Sequence, residues 1–335
     1  MRLSEKESGI AEAGIKKITS DPDMYPLITN AGDDATVDYI GSSTTDSWPN
    51  NTVFDKSTSG GYFRIKMCAT LVDTMQSLND PRLAVWANKI EYALVLEPTW
   101  ENDRDEIIGN ERHIAQNLAD AYETTFNTPL DYDPEWVGIP PSFVAAPMYN
   151  LNPNLEQGVY NPHVCQLNDI YKQTSGPLLL SRIMSAAEVN FILAEAALYG
   201  WITGGDAKTY YNAGVLESLE AWGVGDSYND YIAGAPYVGL TEIIQQKWIA
   251  SWTAAAEAWF DYRRTGLPAL QTGVTAKRQA MPLRFYYHWA DEIILNPDNA
   301  EVAIEALETT AFTAPDSKNS AWSKMWVLQG TGKPY

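Results

Sequence analysis

The stretch RIMSAAEVNFILAEAALY, residues 182–199, followed by AKTYYNAGVLESLEAW, residues 207–222, decides the fold class. Alanine is the strongest helix former, and its small side chain lets a second helix approach closely. Gly200 can take the left-handed conformation that ends a helix, Asp206 can cap the next helix, and Gly223 closes it. The pattern therefore predicts an antiparallel helical hairpin.

A third helix is predicted for TEIIQQKWIASWTAAAEAWFDYRRTGLP, residues 241–268. Its apolar residues recur at helical spacing as a stripe of Ile244, Trp248, Trp252, Ala255 and Trp259. We assign the three tryptophans of this stripe to the core. Arg263 and Arg264 lie in the last turn, where positive charge complements the helix dipole, and Gly266 and Pro268 end the helix.

The rest of the chain alternates between helical patterns and long irregular segments. Apolar periodicity predicts further helices over residues 1–18, 63–78, 105–126 and 297–308. Residues 19–62 and 128–177 are rich in Pro, Asn, Asp and Gly, which favour turns. We therefore expect a mostly α fold in which residues 1–335 form one domain, residues 178–310 are its helical scaffold, and the two irregular segments lie on the ligand side.

Composition excludes several classes of partner. Lys and Arg number 23 against 43 Asp and Glu, and the net charge of −20 repels nucleic acid and anionic lipid. No run reaches the roughly 18 apolar residues that span a bilayer. Cys68 and Cys165 match no metal or redox spacing, so we interpret both as small buried hydrophobic residues and not as a disulfide.

Catalytic signals are weak. His113, His163 and His288 are scattered, and no nucleophile elbow, zinc helix or phosphate loop is present. Carboxylates are plentiful, so a helical glycosidase or lyase stays open as an alternative, and a helical-repeat adaptor that binds another protein is a second one. No cofactor is expected, although acidic loops such as DYDPE, residues 131–135, have the oxygen ligands that suit Ca²⁺.

Aromatic residues are the most informative feature of the irregular segments. The chain has 12 Trp and 19 Tyr, more than a helical core requires. An exposed ring with polar neighbours can stack on a sugar or hold a peptide, although a loop aromatic can also only pin its loop to the helices. Six residues are our candidates for binding an oligosaccharide or peptide: Trp48, Trp100, Trp136, Tyr160, Tyr39 and Tyr132.

Several motifs occur in a characteristic order over residues 60–335. They are DPRL at 80–83, RIMSAAEVNFILAEAALYGW at 182–201, QQKWIASWTAAAEAWFDYRRTGLP at 245–268, RFYYHWADEIILNPDN at 284–299 and AWSKMWV at 321–327. In this order they resemble the SusD/RagB family of Bacteroidetes nutrient-binding outer-membrane lipoproteins. The resemblance implies paired helices of the tetratricopeptide type that form an α-α superhelix.

The same resemblance implies a function. It implies a cell-surface lipoprotein of the outer membrane that binds glycan or peptide without catalysis and delivers it to a SusC-like TonB-dependent transporter. The family's signal peptide, lipidated cysteine and first tetratricopeptide-like helices have no counterpart here, which indicates a fragment or a trimmed start. Contact with the membrane is then expected only through a lipid anchor that this chain lacks.

Overall fold

The computed structural model describes residues 1–49, 61–155 and 160–335. About 40% of the chain is helical and strands are few, which confirms the mostly α prediction. The helices are α1 (Ser8–Ser20), α2 (Gly61–Arg64), α3 (Ala69–Ser77), α4 (Leu83–Trp86), α5 (Gln116–Phe126), α6 (Ala186–Leu198), α7 (Ala207–Glu220), α8 (Tyr228–Gly234), α9 (Leu240–Ala250), α10 (Ala255–Thr265) and α11 (Pro297–Glu305). The strands are β1 (Ala35–Val37), β2 (Ala93–Glu97), β3 (Asp105–Ile108), β4 (Glu111–Ala115) and β5 (Ser181–Met184).

Helices α6 and α7 form the predicted hairpin. The Asp206 carboxylate caps α7 by accepting a hydrogen bond from the Thr209 amide at 2.7 Å. Gly200 ends α6 in the left-handed conformation at φ +72°. A Cβ on Gly214 would lie 2.8 Å from Phe191 Cε1, so the two helices need glycine at this contact. The small residues of both helices therefore allow close packing, as the sequence indicated.

Two helical predictions are wrong at their amino-terminal ends. Strand β5, Ser181–Met184, pairs antiparallel with β1 and includes residues 182–184, which the sequence predicts as the start of the first hairpin helix. The helix begins only after Ser185, whose side chain accepts from the Glu188 amide at 3.1 Å. Residues 105–115, predicted as helix, form β3 and β4 instead, joined through Gly109 at φ +67°. Gly109 allows the tight turn that joins the two strands, so this segment forms a hairpin although its isoleucines are spaced as in a helix.

The three strands β2, β3 and β4 form one small sheet. Its order is β2-β4-β3, with β2 parallel and β3 antiparallel to β4.

The helix predicted over residues 63–78 is divided into α2 and α3, because residues 66 and 68 make isolated bridges to Gln166 and Ile139. Tertiary pairing with the 128–177 segment therefore interrupts a helix that local periodicity favoured.

The long helix predicted over residues 241–268 is two helices. α9 ends at Ala250 and α10 begins at Ala255, and Thr253 in the link has φ +73°. Because of this break, the tryptophans of the predicted stripe do not lie on one buried face. Trp248, Trp252 and Trp259 are each only half-buried. Trp248 and Trp252 still pack against the core cluster that contains Trp86, whereas Trp259 is a member of none of the clusters found among the described residues.

Among the described residues, the buried apolar side chains form three hydrophobic clusters. One contains Trp86 and Trp222, a second lies between α6, α7 and α9 around Phe191, and a third lies beneath the small sheet. Cys165 is buried in the first cluster as expected, whereas Cys68 is exposed, and both are free thiols. In the described part of the chain, no helix combines the length and the hydrophobicity needed to cross a membrane.

Buried ion pairs join the helices of the scaffold. Arg264, in the last turn of α10, contacts the carboxylates of Glu195 on α6 and Asp261 on α10. Lys247 on α9 lies 2.8 Å from Asp261. Arg264 therefore does more than complement the helix dipole, since it connects α10 to α6, and Asp261 extends the network to Lys247 on α9.

Candidate functional site

Two neighbouring cavities lie beside the break between α9 and α10. Their volumes are about 470 Å³ and about 820 Å³. Trp248, Ala255 and Ala258 line both of them, so the two spaces share one wall. We call the combined surface the aromatic groove, and its two parts the inner cavity and the outer cavity. Each cavity taken alone is within the size range of small-ligand sites.

The inner cavity is formed largely by aromatic rings. The rings of Tyr39 and Trp48 meet edge to face at 5.5 Å, and Trp48 lies 5.7 Å from Tyr171. Trp252 donates its indole N–H to the Tyr171 hydroxyl at 2.7 Å and stacks on Trp86 at 5.0 Å. No charged side chain is among the described residues that line this cavity. The described part of its lining is therefore an apolar recess whose polar groups are hydroxyl, indole N–H and backbone groups.

The outer cavity presents rings whose polar atoms are already occupied. Trp259 donates its indole N–H to the Pro282 carbonyl at 2.9 Å, and Trp322 donates to the Ala280 carbonyl at 2.8 Å. Phe285 packs edge to face on Trp259 at 5.6 Å and is 84% exposed. What these indoles can offer a ligand is therefore the ring face and its apolar edge.

Polar side chains border the outer cavity. Arg278 lies 4.0 Å above the Trp322 ring and 2.8 Å from the Asp316 carboxylate. Its hydrogen bond holds the pKa of Asp316 below the ordinary range. Arg284 donates to Asn319 Oδ1 at 3.2 Å, and the exposed Lys277 completes this border. The outer cavity thus combines ring surfaces with charged and amide groups.

This arrangement is suited to binding and poorly suited to acid/base chemistry. A sugar ring stacks its apolar face on an aromatic side chain while its hydroxyls reach polar groups at the edge. Glycoside hydrolysis needs two carboxyl groups, one of them protonated. Among the described lining residues, Asp316 is the single carboxylate, and its lowered pKa keeps it ionised at neutral pH.

Two of the six predicted site residues lie together in the groove. Tyr39 and Trp48 both line the inner cavity, although Trp48 is only 7% exposed and belongs to a core cluster. The Tyr39 hydroxyl is 2.6 Å from Ser181 Oγ. Trp48 is thus not the open platform that we expected of a loop tryptophan, yet its ring still forms part of a cavity wall.

The other four predicted residues do not line either cavity. Trp100 lies beside the small sheet, stacked at 5.8 Å on His113 with Arg104 at 4.0 Å above its ring. Trp136 packs against the first core cluster, Tyr160 lies 6.3 Å from Phe63, and Tyr132 is 37% exposed. Their role in binding stays a prediction.

The groove also contains residues that we did not predict as a site. Trp248, Trp252 and Trp259 were assigned to a core, and Trp322 and Phe285 were noted only as parts of motifs. No glycine or proline occurs within residues 251–254, so the sequence carried no local signal of the helix break that opens the groove. The three large rings of Trp248, Trp252 and Trp259 in one predicted stripe are the feature of the sequence that could have indicated a binding surface here.

The described residues contain no group of three or more His, Cys, Asp or Glu side chains placed to hold a metal ion. His163 is buried, and its Nδ1 lies 2.8 Å from the Tyr92 carbonyl. His113 contacts Glu97 at 2.7 Å. Calcium in an acidic loop stays a prediction.

A family model described as "SusD-like: Starch-binding associating with outer membrane" matches residues 1–288. The chain belongs to the SusD-like family. This SusD-like chain also shares its fold with solved structures. A chitin-binding protein superposes with a TM-score of 0.65 at 21% identity over 98% of this chain and 61% of its own. A SusD homologue from Bacteroides vulgatus gives 0.64 at 20% identity, over 98% of this chain and 60% of its own.

A third similar structure is a chitin-binding SusD homologue from Flavobacterium johnsoniae. Its TM-score is 0.62 at 18% identity, over 98% of this chain and 61% of the homologue. The SusD-like chain thus spans about three fifths of the length of these relatives. No curated protein matches it significantly by sequence. At these identities the likeness shows the fold, which confirms the helical architecture implied by the motifs.

Proposed function

We propose that this chain binds an oligosaccharide in the aromatic groove, without catalysis, as part of a cell-surface nutrient-capture protein. The observation that carries the proposal is the set of aromatic rings along two neighbouring cavities that share a wall, namely Trp248, Trp252, Trp259, Trp322 and Phe285. Stacking on such rings tolerates the repeated apolar faces of a glycan chain. Family membership and the chitin-binding relatives support the glycan over the peptide.

The absence of catalysis is part of the proposal. The groove offers one ionised carboxylate among its described lining residues, and that carboxylate is already paired with Arg278. General acid catalysis requires a protonated group within reach of the glycosidic oxygen. A groove of this composition retains its ligand and leaves cleavage to another protein.

Delivery of the ligand is the second part of the proposal. A glycan held at the outer surface must cross the outer membrane, and a SusC-like TonB-dependent transporter is the partner that family membership suggests. A lipid anchor would hold the complete protein at the cell surface. Co-purification of the full-length protein with such a transporter tests this step, and isolation of a soluble protein partner alone would contradict it.

Binding in the groove is tested by isothermal titration against hexasaccharides of starch and chitin, acidic hexasaccharides and a peptide panel. We expect Trp259→Ala to weaken glycan binding at least about ten-fold, as expected for a central aromatic contact. Trp100→Ala is the matched control, because Trp100 is a half-buried tryptophan outside the groove. Loss of binding in Trp100→Ala with retention in Trp259→Ala would place the site elsewhere.

A further inference from the structure

The outer cavity differs in charge from the molecule around it. The whole chain has a net charge of −20. The residues that line the outer cavity include the cations Lys277, Arg278 and Arg284 against the single carboxylate of Asp316. The side chains that line the outer cavity therefore have a net positive charge, whereas the chain as a whole is strongly negative.

Some of the buried cations near this cavity lack a carboxylate partner. Elsewhere, the buried Arg82, Lys247 and Arg264 each contact a carboxylate. By contrast, no described carboxylate lies within ion-pair distance of the buried Arg284, which lines the outer cavity. Its Nη1 is satisfied by neutral acceptors, the Asn319 side chain and the Ser320 carbonyl. Burying a charge without a counter-charge is unfavourable, so such a group is generally paired.

Two more buried cations, which do not line the outer cavity, also lack a described carboxylate partner. Arg263 is 9% exposed, lies 4.2 Å above the Trp259 ring and donates to the Leu283 carbonyl at 2.9 Å. Lys324, which follows Trp322 by two residues, is 5% exposed. Neither has a carboxylate within 4.0 Å in the described residues. Of these three buried cations without a described carboxylate partner, Arg284 lines the outer cavity, Arg263 packs on its Trp259 wall, and Lys324 is close to it in sequence.

We infer that the ligand of the aromatic groove is an acidic glycan, whose carboxylate or sulfate groups lie in the outer cavity. This inference rests on the proposed glycan binding. The ring faces hold the sugar, and the anionic groups of the ligand supply the counter-charge that Arg284 lacks among the described residues. A guanidinium or ammonium group binds either anion through charge-assisted hydrogen bonds. Neutral sugar units would occupy the inner cavity, whose described lining is uncharged.

The test compares neutral and acidic hexasaccharides by isothermal titration with the whole chain. The probes are a starch hexamer, a chitin hexamer, an oligogalacturonate that carries carboxylates alone and a carrageenan fragment that carries sulfates alone. We expect at least one acidic probe to bind about ten-fold or more tightly than both neutral probes. Comparison of the two acidic probes identifies which anion is bound.

The matched variants are Lys277→Glu and Lys208→Glu. Both lysines are exposed and the charge change is identical, but only Lys277 lines the outer cavity. We expect Lys277→Glu to weaken the acidic probe about ten-fold and to leave the neutral probes unchanged, and Lys208→Glu to change neither. Equal binding of neutral and acidic probes that still depends on Trp259 would overturn this inference and leave the proposed function standing. No binding of any glycan would overturn both.

Discussion

Arg264 shows at the scale of one residue how the scaffold tolerates charge in its interior. Its Nη2 lies 2.9 Å from Glu195 Oε2 and 2.8 Å from Asp261 Oδ1, and Glu195 is fully buried. These carboxylates raise the pKa of Arg264 in spite of its burial. Removal of one partner leaves an incompletely compensated charge, which is more damaging than the pair is stabilising.

We therefore predict that Glu195→Gln lowers the free energy of unfolding by about 3 kcal/mol. Urea unfolding followed by circular dichroism measures the change. The control is Glu135→Gln, which breaks the ion pair with Lys89, where both side chains are 52% exposed. An exposed pair contributes about 1 kcal/mol or less. Equal effects of the two substitutions would show that burial does not govern the energy of these pairs.

Glu188 gives the protein a pH dependence of known sign. Burial raises its pKa above the ordinary 4.5, and Lys247, with Nζ at 3.7 Å, offsets this only in part. Between the ordinary and the raised pKa, the folded protein binds more protons than the unfolded chain. This contribution to stability is therefore present below the ordinary value and is lost as the pH rises through the raised pKa.

Glu188→Gln should remove this contribution to the pH dependence. We expect the free energy of unfolding of the variant to fall less than that of the wild type as the pH rises from about 4.5 through the raised pKa. Urea titrations at half-unit pH steps measure it, with Glu123→Gln, an exposed glutamate of α5, as the control. A variant whose pH profile parallels that of the wild type would contradict the assignment to Glu188.

At the scale of an element, the break between α9 and α10 shapes the groove. Thr253 lies in this link at φ +73°, a conformation that β-branched residues rarely adopt. We predict that Thr253→Gly raises the free energy of unfolding by about 0.5 kcal/mol, since relief of strain outweighs the added chain entropy of glycine. Thermal unfolding measures this. Thr124→Gly, in α5, should lower stability instead. A destabilising Thr253→Gly would refute strain at the break.

The sequence predicted those elements whose local signals agree with their packing. The hairpin of α6 and α7 carries its own cap at Asp206 and its own stop at Gly200, so propensity and tertiary structure favour the same conformation. Residues 105–115 could not be predicted in this way, because β4 pairs with β2, which comes earlier in the chain, as well as with β3. Non-local pairing of this kind overrides helical spacing.

The sequence predicted the type of contact in the candidate site, aromatic stacking, but not most of the residues that form it. Abundant aromatic residues indicated stacking, and Tyr39 and Trp48 do line the inner cavity. The larger part of the groove uses Trp248 and Trp259, whose helical spacing is the ordinary sign of a core. Because α9 and α10 are separate helices, these tryptophans line the cavities instead of forming one continuous buried stripe. A break whose residues include neither glycine nor proline has no local sequence signal.

At the scale of the whole molecule, the net charge of −20 implies self-repulsion in the folded state. We predict that the melting temperature rises by a few degrees between about 10 mM and about 150 mM NaCl, as the Debye length falls from about 30 Å to about 8 Å. Differential scanning calorimetry measures it. KCl should act equally, since the effect is screening and not ion binding. A falling melting temperature would mean that exposed ion pairs outweigh the repulsion.

The indole N–H groups of Trp252, Trp259 and Trp322 all have acceptors within the chain. These rings have already lost most of their rotational freedom, so docking requires little further side-chain ordering. The contribution of these rings to the free energy of sugar binding then comes mainly from removing water from the ring faces. Such dehydration has a negative heat-capacity change as its signature. Selectivity among sugars of equal charge would accordingly follow the shape of their apolar faces, and binding would tolerate variation in the hydroxyls that point away from the rings.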